Sequence, residues 1–205
     1  MTNLSVSALI ELTTSRRGHF RMESGYHSEL WLDLDALFAA PDRVRPFVTA
    51  LADALSAYRL DAVCGPLLGG AFLAQRVAEV LGAEFWYTEP ASASAQPGLF
   101  RARYRLPAAF TNRFAHPRVA LVDDVMSAGS SLRASLTDLR DRGADIVAVG
   151  ALLVLGDIGA AYFAEQGIPV EAVVRGELEM WSPADCPQCA RGVHLESVVS
   201  AAPAS

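Results

Sequence analysis

The 205-residue chain reads as an α/β fold: a parallel twisted sheet with helices on both faces, plus a small N-terminal hood. Three observations predict this. From residue 41 onward, apolar runs of strand length alternate with segments of helical period. The runs are apolar throughout, as in strands buried on both faces. A chain with 52% hydrophobic and 20% charged residues can also bury one substantial core, so a single domain over 1–205 is expected.

The elements follow in order. Leu4, Leu9, Ile10 and Leu12 give residues 4–15 a loosely helical spacing that ends before Arg16-Arg17-Gly18. Trp31, Leu32, Leu34, Leu37 and Phe38, flanked by Gly25 and Pro41, suggest one or two short strands in a hood over about residues 1–40. Val44, Phe47, Val48, Leu51, Ala52 and Leu55 share one side of a helix from Pro41 to Tyr58, with Asp42 placed to complement its N-terminal dipole. Strands are then expected near 61–64, 84–88, 118–123, 145–154 and 170–174, and helices near 70–81, 130–142 and 158–166.

Residues 90–117 break this rhythm with Pro90, Pro97, Gly98, Pro107 and Pro117. A stretch this long with little periodicity is either disordered or a functional lid. Arg101, Arg103 and Arg105 form the densest positive cluster; they either present charge from that lid or sit solvated on a short antiparallel hairpin. Residues 181–205 form a tail, of which 201–205 are expected to be disordered.

Composition excludes several classes. The net charge is −6 and no basic run is present, which gives nucleic-acid binding no electrostatic support. The longest apolar stretch, Ile146 to Leu155, is too short for a membrane helix, and no basic region with a long apolar run and cleavage site opens the chain. A cytoplasmic location is the resulting expectation.

The chemistry concentrates at residues 119–131, where an apolar strand ends in Asp123 and Asp124 and turns through Val125, Met126, Ser127, Ala128, Gly129, Ser130 and Ser131 into a helix. Small side chains let backbone N–H groups close around a phosphate at the helix's positive end, and the serines add hydroxyl donors. The two carboxylates stand where they can accept hydrogen bonds from vicinal sugar hydroxyls or hold a hydrated Mg²⁺, directly or indirectly. The turn has neither the Gly-Lys-Ser/Thr step of a P-loop nor the spaced glycines of a dinucleotide fold. An ordinary strand-to-helix turn with Asp124 near the N-cap is the plain alternative.

This segment resembles the PRPP-binding motif of the type I phosphoribosyltransferases. Cys64-Gly65-Pro66-Leu67-Leu68-Gly69-Gly70 looks like that family's pyrophosphate loop, and Ser24 to Phe38 is similar to the N-terminal segment of the orotate enzymes. Cys186 to Glu196 looks like the CPxC tail of one bacterial branch of them, so the resemblance spans roughly residues 5–196. It implies Mg²⁺-dependent transfer of a phosphoribosyl group from PRPP to a nucleobase, most similar to orotate transfer in pyrimidine biosynthesis, by a homodimer. Residues 125–131 would hold the 5′-phosphate, Asp123 and Asp124 the ribose diol, and Leu67, Leu68, Gly69 and Gly70 the pyrophosphate. Arg101, Arg103 or Arg105 would act from the lid. Transfer to another base, or a PRPP-binding regulator with reduced turnover, are the alternatives.

The orotate pattern is not matched everywhere. All 17 positive side chains are arginine, where orotate enzymes use lysines. Their Leu-Lys-Ser-Gly-Arg corresponds to Met22-Glu23-Ser24-Gly25-Tyr26, whose Glu23, Ser24, Gly25 and Tyr26 are the candidate base contacts. Their Asp-Arg corresponds to Asp157-Ile158, and isoleucine cannot pair a carboxylate as arginine does. Arg16, Arg17 or Arg21 are placed to compensate. Phe20, Tyr26 and Trp31 either stack a base or pack in the core, and His27 either binds substrate or, as a lone histidine in a turn, is solvated. Cys64 is expected to pack as a small apolar residue. Cys186 and Cys189 have half of a zinc-ligand pattern, with His194 following and Asp185 or a partner subunit as a further donor, or they are free thiols.

Overall fold

The computed structural model describes residues 4–34, 36–92, 98–110 and 115–197. Helix α1 (Val6–Ile10) is shorter than the expected 4–15, because pairing with the next strand claims the chain from Thr14 onward. Ser5 caps it, accepting the Ala8 N–H at 3.2 Å. Strands β1 (Thr14–Arg21) and β2 (His27–Asp33) form an antiparallel hairpin that includes Arg16-Arg17-Gly18, the expected break. Helix α2 (Pro41–Leu55) then leads to β3 (Ala62–Pro66), α3 (Gly69–Leu81) and β4 (Glu84–Ala91). The short β5 (Arg103–Arg105) precedes β6 (Arg118–Met126), α4 (Ser130–Asp141), β7 (Asp145–Leu155), α5 (Ile158–Glu165) and β8 (Val170–Gly176). The tail supplies β9 (Met180–Trp181), α6 (Pro187–Ala190) and β10 (Glu196–Ser197).

The main sheet has the order β5-β4-β3-β6-β7-β8 and is parallel apart from β5, which returns antiparallel along β4. Strand alternation sorts its side chains to two faces. Ala120 and Val122 of β6 pack with Leu51 and Leu55 of α2 and Leu73 and Val77 of α3. Val119 and Leu121 face the other way, onto Leu132, Leu136 and Leu139 of α4 and Phe163 of α5. Helices therefore cover both faces, and the C-terminal ends of β3 and β6 lie side by side in the middle of the sheet, where α/β folds place their ligands.

The hood is a second sheet, of order β10-β1-β2-β9. Half of it by strand count comes from the far end of the chain: β10 runs parallel to β1, and β9 antiparallel to β2. Among the described residues, no helix is long and apolar enough to cross a membrane. Residues 201–205, expected to be disordered, lie outside the described residues.

Candidate functional site

Strand β6 carries Asp123 and Asp124 to the sheet's C-terminal edge, and both are buried. Val125 and Met126 still pair with β7, so the turn proper is Ser127-Ala128-Gly129. Gly129 sits at φ +72°, a left-handed conformation that places the N-terminal amides of α4 at the mouth of the turn. The loop is tied down because the Ser127 carbonyl accepts the Gly159 N–H at 3.0 Å.

The expected phosphate donors divide on inspection. Among the described residues the Ser130 hydroxyl is buried without a well-formed hydrogen bond, although it bears on the Glu23 carboxylate, so an acceptor entering the site would satisfy it. The Ser131 hydroxyl donates to Asp123 Oδ2 at 2.7 Å, so it orients the acid instead of facing a ligand. The Val125 N–H is likewise taken, by Asp124 Oδ1 at 2.7 Å, and the Met126 side chain lies in the core. These are corrections to a cradle running over the whole of 125–131.

The glycine loop after β3 packs directly on the acid pair. A Cβ at Gly69 would overlap the Asp124 carboxylate, and one at Gly70 would come within 2.7 Å of Asp123 Oδ1 and 2.6 Å of Pro66 Cδ. Only glycine permits this approach. Gly69 and Gly70 open α3, where the first amides have no partner inside the helix. Leu67 does not contribute as expected, since its N–H donates to the Thr88 carbonyl at 2.9 Å; the Leu67–Leu68 peptide is cis. Burial, and then the neighbouring Asp124 charge, hold the Asp123 carboxyl well above the usual carboxylate range. A cation or a diol's hydroxyls beside the pair would relieve that repulsion.

Across the turn lies the base-loop candidate. Met22, Glu23, Ser24 and Trp31 line a cleft of about 130 Å³ together with Val125, Ser127, Ala128, Gly129, Ser130 and Ser131. Phosphate turn and hood thus share one cavity. Segment 98–104 closes on the same loop: the Phe100 N–H donates to the Ser24 carbonyl at 2.8 Å, and the Tyr104 hydroxyl donates to Glu23 Oε1 at 3.1 Å. The Phe100 ring stands 5.9 Å from that of Tyr26, and Leu99 lies against Gly25. Burial raises the Glu23 carboxyl, with the Tyr104 hydrogen bond pulling the other way.

The aromatic and cationic candidates also separate. Phe20 is fully buried, with the Arg16 guanidinium 5.4 Å from its ring, so it packs and does not stack a base. Trp31 lines the cleft. Arg16 pairs with Glu196 at 2.7 Å and Arg17 with Glu29 at 2.8 Å, both on the surface, so these two do not serve the base. Arg103 and Arg105 stand exposed on the β4–β5 hairpin, Arg105 in an ion pair with Glu89 at 2.9 Å, while Arg101 is half-buried. The hairpin reading therefore describes β5, and the segment before it is the part that reaches the site.

Sequence reasoning missed Arg133. Its guanidinium lies 4.0 Å from the ring centroids of both Phe100 and Tyr162, and its Nη2 donates to the Ile158 carbonyl at 2.9 Å. The chain thus brings an arginine to position 158 from α4. Its place one turn into that helix was the available signal. In the tail, Cys186 and Cys189 lie against the hood. His194 is exposed, and Asp185 accepts the Ser182 hydroxyl at 2.7 Å, so neither is the further donor expected beside the cysteines. His27, expected in solvent unless it binds substrate, is buried on β2. Cys64 is buried, as its apolar surroundings predicted.

No protein-family model matches the chain. Whole-chain relatives do. The orotate phosphoribosyltransferase of Thermotoga maritima is 30% identical over 181 residues, 87% of this chain and 88% of its own. The Thermus thermophilus enzyme of the same name is 31% identical over 181 residues, 88% and 92% of the two chains. That of Caldanaerobacter subterraneus is 28% identical over 185 residues, 90% of each. Among solved structures, the orotate phosphoribosyltransferase of Aeropyrum pernix superposes with a TM-score of 0.63 at 22% identity, over 82% of this chain and 92% of that one. An adenine phosphoribosyltransferase from Thermoanaerobacter pseudethanolicus gives 0.64 at 15% identity, over 83% and 99%, which marks a shared fold.

Proposed function

The chain belongs to the orotate phosphoribosyltransferase family, and from that premise we propose that it transfers the 5-phosphoribosyl group of PRPP to a ring nitrogen of orotate, giving orotidine 5′-phosphate and pyrophosphate. One observation carries this reading: the turn Ser127–Ser131, which follows the acid pair, and the hood loop Met22–Ser24 line a single cleft. A sugar phosphate anchored on the turn would then present its C1 to a base held by the hood.

The residues divide the work. The α4 amides and the Ser130 hydroxyl hold the 5′-phosphate. Asp123 and Asp124 accept hydrogen bonds from the ribose hydroxyls, and their charge favours the oxocarbenium character that C1 gains as pyrophosphate leaves. The amides of Gly69 and Gly70 face the departing diphosphate. The family implies a divalent cation, and we assign Mg²⁺, held by Asp123 and Asp124 directly or through water. The acid pair, with Asp123 raised by burial and then by its neighbour's charge, fits such an ion. When bound, it neutralises charge on the diphosphate. Closure of segment 98–104 over Ser24 excludes water that would otherwise hydrolyse PRPP.

Two departures from the orotate pattern find physical support here. Burial raises the Glu23 carboxyl, and Tyr104 donates a hydrogen bond to it, so its charge is partly answered before a base arrives. Arg133 supplies positive charge where Ile158 cannot, and clamps Phe100 of the closing segment against Tyr162. Arg133→Ala is expected to lower kcat/KM for orotate roughly 5- to 30-fold, the scale of two partly desolvated cation–π contacts at about 1 kcal/mol each. Steady-state kinetics with PRPP saturating and orotate varied would show it; a parent-like value removes Arg133 from the closing machinery.

The function is tested by pyrophosphate release from PRPP and Mg²⁺ with orotate, uracil, adenine and hypoxanthine in parallel. Turnover with orotate alone is the expected result, and turnover only with another base would overturn the assignment. We also propose a homodimer, supported by the exposed Leu68, Phe72 and Val80 at the start and along the outer side of α3. Light scattering on the full chain reads its mass directly.

A further inference from the structure

Behind the hood loop, four ligand-type side chains from three distant parts of the chain converge: His19 on β1, His27 at the start of β2, Cys186 at the head of α6 and Cys189 within it. Their ligand atoms all lie within 4.8 Å of one another. His19 Nε2 stands 3.1 Å from His27 Nδ1, 3.3 Å from Cys186 Sγ and 3.7 Å from Cys189 Sγ, and Cys189 Sγ is 3.3 Å from His27 Nδ1. We propose that this is a Cys₂His₂ site for zinc, which staples the C-terminal segment to the hood.

The geometry is that of a small tetrahedron. With Zn–N near 2.0 Å and Zn–S near 2.3 Å, the edges of a tetrahedral site run from about 3.3 to 3.8 Å. The four separations above, 3.1 to 3.7 Å, lie close to that range, and the remaining pairs stay within 4.8 Å. The tautomer is also set. His19 Nδ1 lies 2.9 Å from the Val193 carbonyl, which has only lone pairs to offer, so the proton sits on Nδ1 and the Nε2 lone pair faces the cluster. One lone pair cannot satisfy three neighbours at these distances, whereas one central cation satisfies all four ligands at once. His19, His27 and Cys186 are buried, which shields the metal-ligand bonds from water.

The outer contacts hold the ligands in place. Gln188, between the two cysteines, donates its amide to the Gly18 carbonyl at 3.1 Å and accepts the Val193 N–H on its backbone at 3.0 Å. Four protein ligands leave no open position, so the site is structural and not catalytic. Its consequence is local. His19 and His27 flank the Met22–Tyr26 loop, so an ion joining them to α6 would fix both stems of that loop. The zinc assignment itself does not depend on which reaction the cleft performs.

The test is metal analysis of the full chain, untagged, produced with zinc in the medium and purified under reductant. One zinc per chain is expected in the parent, with sub-stoichiometric zinc in both Cys186→Ser and Cys189→Ser. Cobalt exchange into the parent should give the visible absorption of tetrahedral thiolate-bound Co²⁺. Should a variant fail to fold, chelation of the parent serves instead: it should lower the melting temperature and make two thiols reactive together. A zinc-free parent that takes up neither Zn²⁺ nor Co²⁺ overturns the proposal, as does a Cys186–Cys189 disulfide persisting under reductant. Unchanged zinc content in a folded double variant overturns it as well.

Discussion

Asparagine at both 123 and 124 should lower kcat/KM for pyrophosphate release by at least roughly 10²- to 10³-fold, the scale seen when a preorganised electrostatic contact is removed from an active site. Asn keeps the shape of each residue, and at position 123 its oxygen can accept the backbone N–H of residue 124 while its amide donates to the Ser131 hydroxyl oxygen, so both retain a partner. What disappears is the negative charge proposed to stand beside C1. Stability should move the other way. Burial and Asp124 raise the Asp123 carboxyl above its unfolded value of 3.8, so the folded state binds more protons than the unfolded state in the window above that pH. Stability therefore falls as pH rises through that window, and near pH 7 the parent carries the cost of burying the acid pair. Asp123→Asn removes that cost. Its melting temperature should equal or exceed the parent's at pH 7, and the gap should shrink as pH falls toward 4. A double variant with near-parent turnover would remove the acid pair from the site, and a marked loss of stability at pH 7 would refute the electrostatic account.

The parts of this molecule legible in sequence were those governed by local periodicity. The run from Val119 to Asp124 and the 3–4 spacing of Leu132, Leu136 and Leu139 announce strand, turn and helix because each signal lies within a few residues. The hood was harder. Strand β1 shows mostly exposed positions until His19 and Phe20, so its pattern resembles a loop, and only pairing with β2 makes it a strand. Strands β9 and β10 have two residues each and no periodicity to detect. The metal-type cluster was half visible as a CxxC. His19 gave no signal and His27 read as a lone turn residue, because only the β1–β2 register sets the two diagonally opposite and the tail meets them only after the chain has returned across the hood. Arg133 was missed for a related reason. Its partners Phe100, Ile158 and Tyr162 come from three separate segments, and no spacing rule links them.

The glycine loop offers a test that reaches the acids without touching them. Gly69→Ala should reduce kcat/KM by about 10²-fold, as expected when a catalytic group is displaced by about 1 Å. Alanine at an early helical position favours α3 by about 1 kcal/mol over glycine, so intrinsic propensity predicts no loss of fold. The new methyl, however, would occupy the space of Asp124 Oδ2. Asp124 cannot simply swing away, because its Oδ1 accepts the Val125 N–H at 2.7 Å and its backbone lies in β6. Either the carboxylate loses that hydrogen bond or α3 retreats from the site, and both displace the groups proposed to hold the diphosphate and the diol. A double-mutant cycle distinguishes this collision from a general defect. In an Asp124→Gly background no carboxylate remains to collide with, so adding Gly69→Ala should cost little further activity. An equal loss in both backgrounds would show that the contact between glycine loop and acid pair is not what the substitution disturbs.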